Sequence, residues 1–160
     1  MLGGLSGVHR KILLDLARKA ISRELNAGED LPETSKEPIF HQQAATFVTL
    51  KISGRLRGCI GTLEPVASLW KSVHDNALSA AFHDHRFSPL QSPELEKVEI
   101  DISILSPSSL LEYSDSLDLL KKLQPGVDGV ILKDGNRGAT FLPQVWKQLQ
   151  SAEQFLGQLC

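Results

Sequence analysis

This sequence of 160 residues has only two cysteines, no long hydrophobic run and almost no net charge. Its two cysteines are Cys59, in mid-chain, and Cys160, the last residue, so we expect no structural disulfide and a reducing cytoplasmic location. A net charge of −2 and a pI near 6.2 lack the basic balance of nucleic-acid-binding proteins, which predicts no nucleic-acid partner. No apolar run approaches the ~20 residues of a membrane span, and the first residues lack the pattern of a signal peptide. We therefore expect no membrane association.

The length and composition are those of an ordinary globular protein. Hydrophobic residues make up 41% of the chain and charged residues 22%, close to the average for soluble domains. A chain of this length can bury a core without covalent cross-links. The sequence shows no internal repeat, and it predicts a single domain over residues 1–160.

Hydrophobic periodicity and turn signals predict a mixture of helices and strands. The predicted helices cover residues 6–27, 64–83 and 115–123, and two short ones, opened by Pro143 and Ser151, close the chain. The predicted strands cover residues 46–52, 55 onward, 98–105, 127–133 and 139–142, with a connecting loop over residues 29–43. Because hairpins outnumber helical crossovers, we predict an α+β fold with a mostly antiparallel or mixed sheet flanked by helices.

The first two predicted helices carry specific expectations about their ends and buried faces. In the first, Val8 begins the buried stripe and Gly28 supplies the stop. In the second, Glu64 is the candidate N-cap, Pro65 takes the first helical position and Val66 is buried.

The most informative segment surrounds Cys59, over residues 56–61. Alternation along a strand places Leu56 and Ile60 on one face and Arg57 and Cys59 on the other. A guanidinium two residues from a thiol on the same face can favour the thiolate, so Arg57 is predicted to lower the pKa of the thiol and raise its reactivity.

Two glycines, Gly58 and Gly61, flank the cysteine. Their missing side chains permit unusual backbone angles or the close approach of a ligand. The alternative is that Cys59 is a small core residue in a glycine-containing strand, since free cysteine is commonly buried.

The hexapeptide Leu-Arg-Gly-Cys-Ile-Gly at residues 56–61 resembles the signature of the AMMECR-one domain family, also called protein A of the AmmeMemoRadiSam system. Further segments resemble the family's pattern in the expected order, at residues 80–90, 99–107, 126–132 and 137–143. The resemblance implies an α+β fold in two lobes, with the hexapeptide beside a cleft. It also implies a Memo-like protein and a radical-SAM protein as partners, but it names no reaction and no cofactor.

Two departures from the family pattern stand out. His85 occupies a position that is usually proline in the family, which adds an imidazole next to Asp84. Family chains continue past the position of Cys160 with a further strand-like segment, so one sheet edge is expected to be incomplete in a chain that ends there.

The candidate site residues divide into a catalytic group and an anion-binding group. The catalytic candidates are Cys59, Arg57 and His83. The candidates for binding a small anionic substrate are Arg86, Asp84, Gly58, Gly61 and Arg137. A metal site built from His83, Asp84 and His85 is weaker, because neighbouring side chains at a helix end diverge, and no metal or cofactor is assigned.

Two functions of different class fit these residues. The first is an enzyme with Cys59 as nucleophile or redox thiol, His83 or His85 as acid or base, and Arg86 holding an anionic substrate. The second is a binding module that docks a Memo-like protein or a small ligand without chemistry. The alternative to an anion site built from convergent arginines is that each pairs with a local acid, Arg86 with Asp84 and Arg137 with Asp134.

Overall fold

The computed structural model describes residues 4–25, 31 and 35–160. The chain divides into two compact units, Met1–Ser108 and Ser109–Cys160. The prediction of one domain over residues 1–160 stays a prediction beside this division. Among the described residues, no helix is long and apolar enough to cross a membrane.

The first unit contains a three-stranded antiparallel sheet and two long helices. Its elements in chain order are α1 (Gly7–Glu24), β1 (Ala45–Ile52), β2 (Arg55–Gly61), α2 (Leu69–Phe82) and β3 (Val98–Leu105), with 3-10 helices at Pro38–His41 and Ser92–Lys97. The strand order is β2-β1-β3, and both pairings are antiparallel. Helices α1 and α2 pack on each other, with α2 against β1 and β2 and α1 against β3. The predicted α+β fold is confirmed.

The core of this unit lies between the helices and one face of the sheet. Val48 and Leu50 of β1 are completely buried, together with Leu69 and Val73 of α2. Because strand side chains alternate between faces, Thr49 and Lys51 point to the opposite face. This alternation leaves one sheet face for the core and the other for the residues that surround Cys59.

Helix α1 begins as predicted, because the Ser6 side chain accepts a hydrogen bond from the His9 backbone N–H. Val8, expected to begin the buried stripe, is 69% exposed, and the buried residues begin at Leu13. In the first turn it is His9 that contacts the core, with its ring edge-on to the buried Phe40. The helix ends at Glu24, and the predicted stop at Gly28 lies outside the described residues.

Helix α2 begins at Leu69, so its predicted start at Glu64 and Pro65 is wrong. The N-cap is Ser68, whose hydroxyl accepts from the Lys71 backbone N–H. The chain before it is extended and bridged to residues 42–44, which commits backbone groups that a helical turn would need. Val66 is therefore 70% exposed instead of buried in a helix face.

Strand β2 contains a β-bulge that the alternation argument missed. Lys51 pairs with Leu56, but Leu50 pairs with Gly58, which leaves Arg57 as an additional residue in the described ladder. Directly paired residues project to the same face, so Leu56 shares the face of Lys51 and Cys59 shares that of Thr49. Leu56 and Cys59 therefore lie on one face, and the prediction that Leu56 lies with Ile60 is wrong.

The second unit is a hairpin with helices at both ends. It contains α3 (Ser116–Lys122), β4 (Val130–Asp134), β5 (Arg137–Phe141), a 3-10 helix (Pro143–Lys147) and α4 (Ala152–Leu159). Its small core includes Trp146 stacked on Phe155, with ring centroids 3.9 Å apart. The predicted cap at Ser151 is present, because its hydroxyl accepts from the Gln154 backbone N–H, and Asp115 caps α3 in the same way. Strand β4 begins at Val130, later than predicted, and β5 begins at Arg137, earlier than predicted.

Candidate functional site

Cys59 lies on β2, and its contacts fix both its side chain and its backbone. The Sγ atom is 3.2 Å from the Thr49 hydroxyl on the neighbouring strand. Thr49 is buried, whereas Cys59 is partly exposed and remains a free thiol. The Cys59 backbone N–H donates to the Asp84 carboxylate at 2.9 Å, so a residue just past α2 holds the strand from the side. The thiol is therefore held in place while keeping access to solvent.

Asp84 is a buried carboxylate, 5% exposed, whose two oxygens are both engaged. Oδ1 accepts from the Nε and backbone N–H groups of Arg86, and Oδ2 accepts from Nη2 of Arg86 and from the Cys59 backbone. The hydrogen bonds from Arg86 hold the pKa of Asp84 far below its ordinary value, outweighing the opposite effect of burial, and the Cys59 N–H acts in the same direction. This carboxylate anchors Arg86 and the strand, which leaves it little capacity to bind a substrate directly.

Arg86 connects the carboxylate to the strand and keeps part of its guanidinium in solvent. Its Nη2 donates to the Cys59 carbonyl at 3.2 Å, and 58% of its side chain is exposed. Nη1 has no hydrogen-bond partner among residues 4–25, 31 and 35–160. The hydrogen bond to Asp84 raises the pKa of Arg86, so the cation is permanent. An anion near Cys59 would meet a fixed, charged donor.

Arg57 forms a separate ion pair with Glu94 of the Ser92–Lys97 helix. Nε and Nη2 donate to the two carboxylate oxygens at 2.8 and 3.0 Å, and Nη1 donates to the Ser88 carbonyl. The guanidinium holds the pKa of Glu94 below its ordinary value. All three nitrogens are used, so these contacts make Arg57 an anchor for the loop. Its predicted role as activator of the thiol stays a prediction.

Glycine is required at positions 58 and 61 because neighbouring backbone lies where a Cβ would be, and not because of unusual backbone angles. A Cβ on Gly58 would lie 2.1 Å from the Ala80 carbonyl oxygen of α2. A Cβ on Gly61 would lie 2.4 Å from the Thr46 carbonyl oxygen of β1 and still closer to the Phe47 ring. Neither glycine has a positive φ. The space beside the two glycines, where a close approach of a ligand was expected, is occupied by α2 at Gly58 and by β1 at Gly61.

Three candidates remain, His83, His85 and Arg137. His83 ends α2 and His85 follows Asp84, both exposed, and no hydrogen bond joins either imidazole to Cys59 in the part of the chain that the structure describes. Arg137 belongs to the second unit, where it begins β5 and pairs in register with Asp134. Over the described ranges, no three His, Cys, Asp or Glu side chains group in a way that could hold a metal ion.

Two residues that contribute to the site were missed from the sequence, Thr49 and Glu94. Thr49 could be paired with Cys59 only by knowing the bulge, because the tight turn at Ser53 and Gly54 alone would place Thr49 opposite Gly58. Glu94 lies in a short 3-10 helix, far from Arg57 in sequence, and nothing in its local pattern distinguishes it from a surface acid.

Known proteins resemble this chain along most of its length. A protein from Methanothermobacter thermautotrophicus is 37% identical in an alignment of 157 residues, which covers 94% of this chain and 79% of that protein. A protein from Nanoarchaeum equitans is 36% identical over 151 residues, covering 92% of this chain and 83% of its own. The crystal structure of an uncharacterised protein from Pyrococcus horikoshii matches with a TM-score of 0.85 at 30% identity, over 93% of this chain and 76% of that one. The sequence model of the AMMECR1 family matches residues 14–160. The chain belongs to the AMMECR1 family.

Proposed function

We propose that the site around residues 56–61 binds a small anionic molecule, or an anionic group on a modified protein, and that Cys59 is its reactive group. The observation that carries the proposal is the arrangement of Arg86. Asp84 fixes one edge of the guanidinium, Nη2 reaches the Cys59 carbonyl, and Nη1 remains available on an exposed side chain. A guanidinium held in this way can accept a carboxylate or phosphate without first losing side-chain freedom.

The thiol has the access and the partner that a nucleophile needs. Cys59 is partly exposed, and the Thr49 hydroxyl can donate to its thiolate form. His83 lies one residue before Asp84 and is exposed, which suits it to carry a proton between the site and solvent. In this proposal Arg86 positions the anionic group, and the Cys59 thiolate bonds to an electrophilic atom of the substrate as the bond from that atom to its leaving group breaks. His83 takes up the thiol proton as base or delivers a proton to the leaving group as acid.

The test compares two alkylating reagents that differ in charge. Iodoacetate and iodoacetamide both react with a thiolate and release iodide, but only iodoacetate is an anion. We expect the ratio of their rates, read by mass spectrometry at low ionic strength, to be higher at Cys59 than at the exposed Cys160. In Arg86→Gln the ratio at Cys59 should fall towards that at Cys160. Any loosening of the fold speeds both reagents, so the ratio isolates the charge.

Two further arginine variants complete the comparison. Arg55→Gln removes an exposed charge from the same strand and should leave the ratio at Cys59 nearly unchanged. Arg137→Gln tests whether this candidate belongs to the site, in which case the ratio also falls. Equal ratios at the two cysteines, unaffected by Arg86→Gln, would refute the anionic site. Slow labelling of Cys59 by both reagents would show a structural thiol.

A second candidate function is the docking of a Memo-like protein without chemistry. It is favoured by Leu56, which is 44% exposed on the same sheet face as Cys59 and offers an apolar contact there. In a pull-down with a Memo-like protein, Cys59→Ser should retain binding while Leu56→Ser and Arg86→Gln reduce it. Capture no stronger than that by an unrelated bait would exclude this candidate.

A further inference from the structure

The backbone groups of strand β2 can be assigned to sides from a hydrogen bond at its end. Thr62 donates its N–H to the Thr46 carbonyl, so these two residues form a hydrogen-bonded pair. In an antiparallel ladder bonded and non-bonded pairs alternate, and the N–H and C=O of one residue point to the same side. Cys59 and Gly61 therefore belong to non-bonded pairs. Both direct their N–H and C=O away from β1, to the other edge of β2.

The contacts of Cys59 confirm this assignment, because both of its backbone groups have partners at that edge. Its N–H donates to Oδ2 of Asp84, and its carbonyl accepts from Nη2 of Arg86. Asp84 and Arg86 thus present an acceptor followed by a donor, as a residue of a neighbouring strand would. An added strand would have to displace both side chains, so the edge at Cys59 is closed by the chain itself.

Gly61 comes next along the same edge. Within the residues that the structure describes, neither its N–H nor its C=O has a hydrogen-bond partner. The Phe47 ring lies where a Cβ of Gly61 would be, on the sheet face that carries Cys59, so the edge is a different side of the glycine. The N–H is therefore a donor beside an apolar ring, and a lower local dielectric strengthens a hydrogen bond made there.

The guanidinium of Arg86 directs a second donor towards Gly61. Its Nε and Nη2 face the Asp84 carboxylate, and Nη2 also donates to the Cys59 carbonyl. Because the group is planar, Nη1 lies on the far side of Nη2 from Asp84. The order along the edge is therefore Oδ2, Nη2 and Nη1, with Nη1 towards Gly61. The Phe87 ring, 5.6 Å from Cζ of Arg86, supports the guanidinium from one face.

We propose that the Gly61 N–H and Nη1 of Arg86 together bind one anionic group of the substrate, a carboxylate or a phosphate. Its terminal oxygen takes the next acceptor position along the edge, after Oδ2 of Asp84. Both protein groups only donate, and one of them is a permanent cation, so an ammonium or an amide N–H of a ligand is excluded there. The inference rests on the proposed function and adds to it a backbone donor that fixes where the anion lies relative to Cys59.

The first test uses the free protein. Ile60 and Thr62 direct their N–H groups to β1, whereas the Gly61 N–H has no such bond. After correction for intrinsic rates, we expect the Gly61 amide to exchange with solvent about tenfold faster than those of its two neighbours, or more. Exchange of Gly61 as slow as that of Thr62 would overturn the proposal, because the N–H would then already have a partner.

The second test follows the amide signals of the isotope-labelled full chain by NMR. The probes are sodium acetate and inorganic phosphate, each added at an ionic strength held constant with sodium chloride. We expect the Gly61 amide proton to move to higher frequency along a saturable one-site curve. The Cys59 amide is already bonded to Asp84 and should move less, and that of Gly54, in the exposed turn, should not follow the curve. Saturation by only one probe would identify the bound group.

Two arginine variants connect the response to the proposed pair of donors. Arg86→Gln should weaken the binding seen at Gly61 about tenfold or more, since a charged donor is lost. Arg55→Gln removes an exposed charge from the same strand and should leave the binding nearly unchanged. Slow exchange at Thr62 shows in each variant that β2 is still paired with β1.

A Gly61 signal that stays fixed with both probes, or that responds equally in Arg86→Gln, would overturn the proposal. These outcomes are separate from those of the alkylation test. A high iodoacetate ratio at Cys59 that depends on Arg86, with no response at Gly61, would refute this donor and leave the proposed function standing. A saturable response at Gly61 together with slow labelling of Cys59 would support the pair of donors and refute the reactive thiol.

Discussion

The carboxylate of Asp84 offers the sharpest test of how the site is held together, through the substitution Asp84→Asn. The side chain is 5% exposed and accepts four hydrogen bonds, three from Arg86 and one from the Cys59 backbone. The amide keeps the size but replaces one acceptor oxygen with a donor. That donor must face either Arg86 or the Cys59 N–H, so at least one buried contact becomes a clash between donors.

The size of the loss follows from the kind of contact removed. A hydrogen bond to a charged group contributes about 1.5–3 kcal/mol, and an orphaned buried donor costs about 1–3 kcal/mol. Because 58% of the Arg86 side chain is exposed, solvent screens part of the charge, and we expect a net loss of about 2–4 kcal/mol in the free energy of unfolding. Asp75→Asn is the matched control, since Asp75 pairs with Lys71 on the surface of α2 and should lose at most about 0.5 kcal/mol.

The assay is urea unfolding of wild type and both variants at several pH values. The folded-state pKa of Asp84 lies below its unfolded value, so the ionised carboxylate stabilises the fold above the ordinary carboxyl pKa of ~4. This stabilisation is lost as the pH falls through the acid range towards the folded-state pKa. The difference in the free energy of unfolding between wild type and Asp84→Asn should thus be constant near neutral pH, and it should decrease below about pH 4. Equal losses in Asp84→Asn and Asp75→Asn, or a gap that does not narrow in acid, would refute the reasoning.

Three other experiments test separate contacts. Gly58→Ala brings a Cβ against the Ala80 carbonyl and should lower the free energy of unfolding in urea by about 1–3 kcal/mol or more. The control Gly7→Ala lies in open space at the start of α1 and should lower it by almost nothing. Similar losses in the two variants would contradict the packing argument. Thr49→Val removes the hydroxyl beside Cys59 and should slow its alkylation by up to about tenfold with no effect on Cys160, and an unchanged rate would show that the hydroxyl does not stabilise the thiolate. A double-mutant cycle of Arg57→Ala and Glu94→Ala should give a coupling of about 1–2 kcal/mol, and simple additivity would mean that the ion pair contributes little.

The local signals in the sequence were sufficient for most elements of the fold. Ser151 is an N-cap as its pattern indicates, and α1 and α3 begin directly after their predicted starts at Ser6 and Asp115. The alternation over residues 98–105 gives strand β3 with its bounds correct. These features depend on interactions within a few residues. The predicted start of α2 was wrong because Glu64 followed by Pro65 favours a helix start locally, whereas the chain there is extended and Ser68 bridges to the distant Gln43.

The contacts of the candidate site were less predictable from the sequence than the helices and strands that carry it. The pairing of Arg86 with Asp84 was among the alternatives, since the two residues are close in the chain. The hydrogen bond from Cys59 to Asp84 spans 25 residues and depends on how α2 crosses the sheet. The ion pair of Arg57 with Glu94 spans 37 residues. Such contacts are set by tertiary packing, which local periodicity does not encode.

The β-bulge in β2 determines at which positions this strand can lose a residue and still keep its pairing with β1. Deleting Arg57, the additional residue, would leave Leu56 opposite Lys51, Gly58 opposite Leu50 and every later pair unchanged. Deleting a residue between Gly58 and Gly61 would instead move those beyond it to the opposite face. A one-residue deletion at Arg57 thus becomes a clean experiment, because it removes an anchor and spares the ladder. The ladder beyond the bulge should accordingly tolerate a one-residue gap between the Ser53–Gly54 turn and Gly58, and none from Gly58 to Gly61.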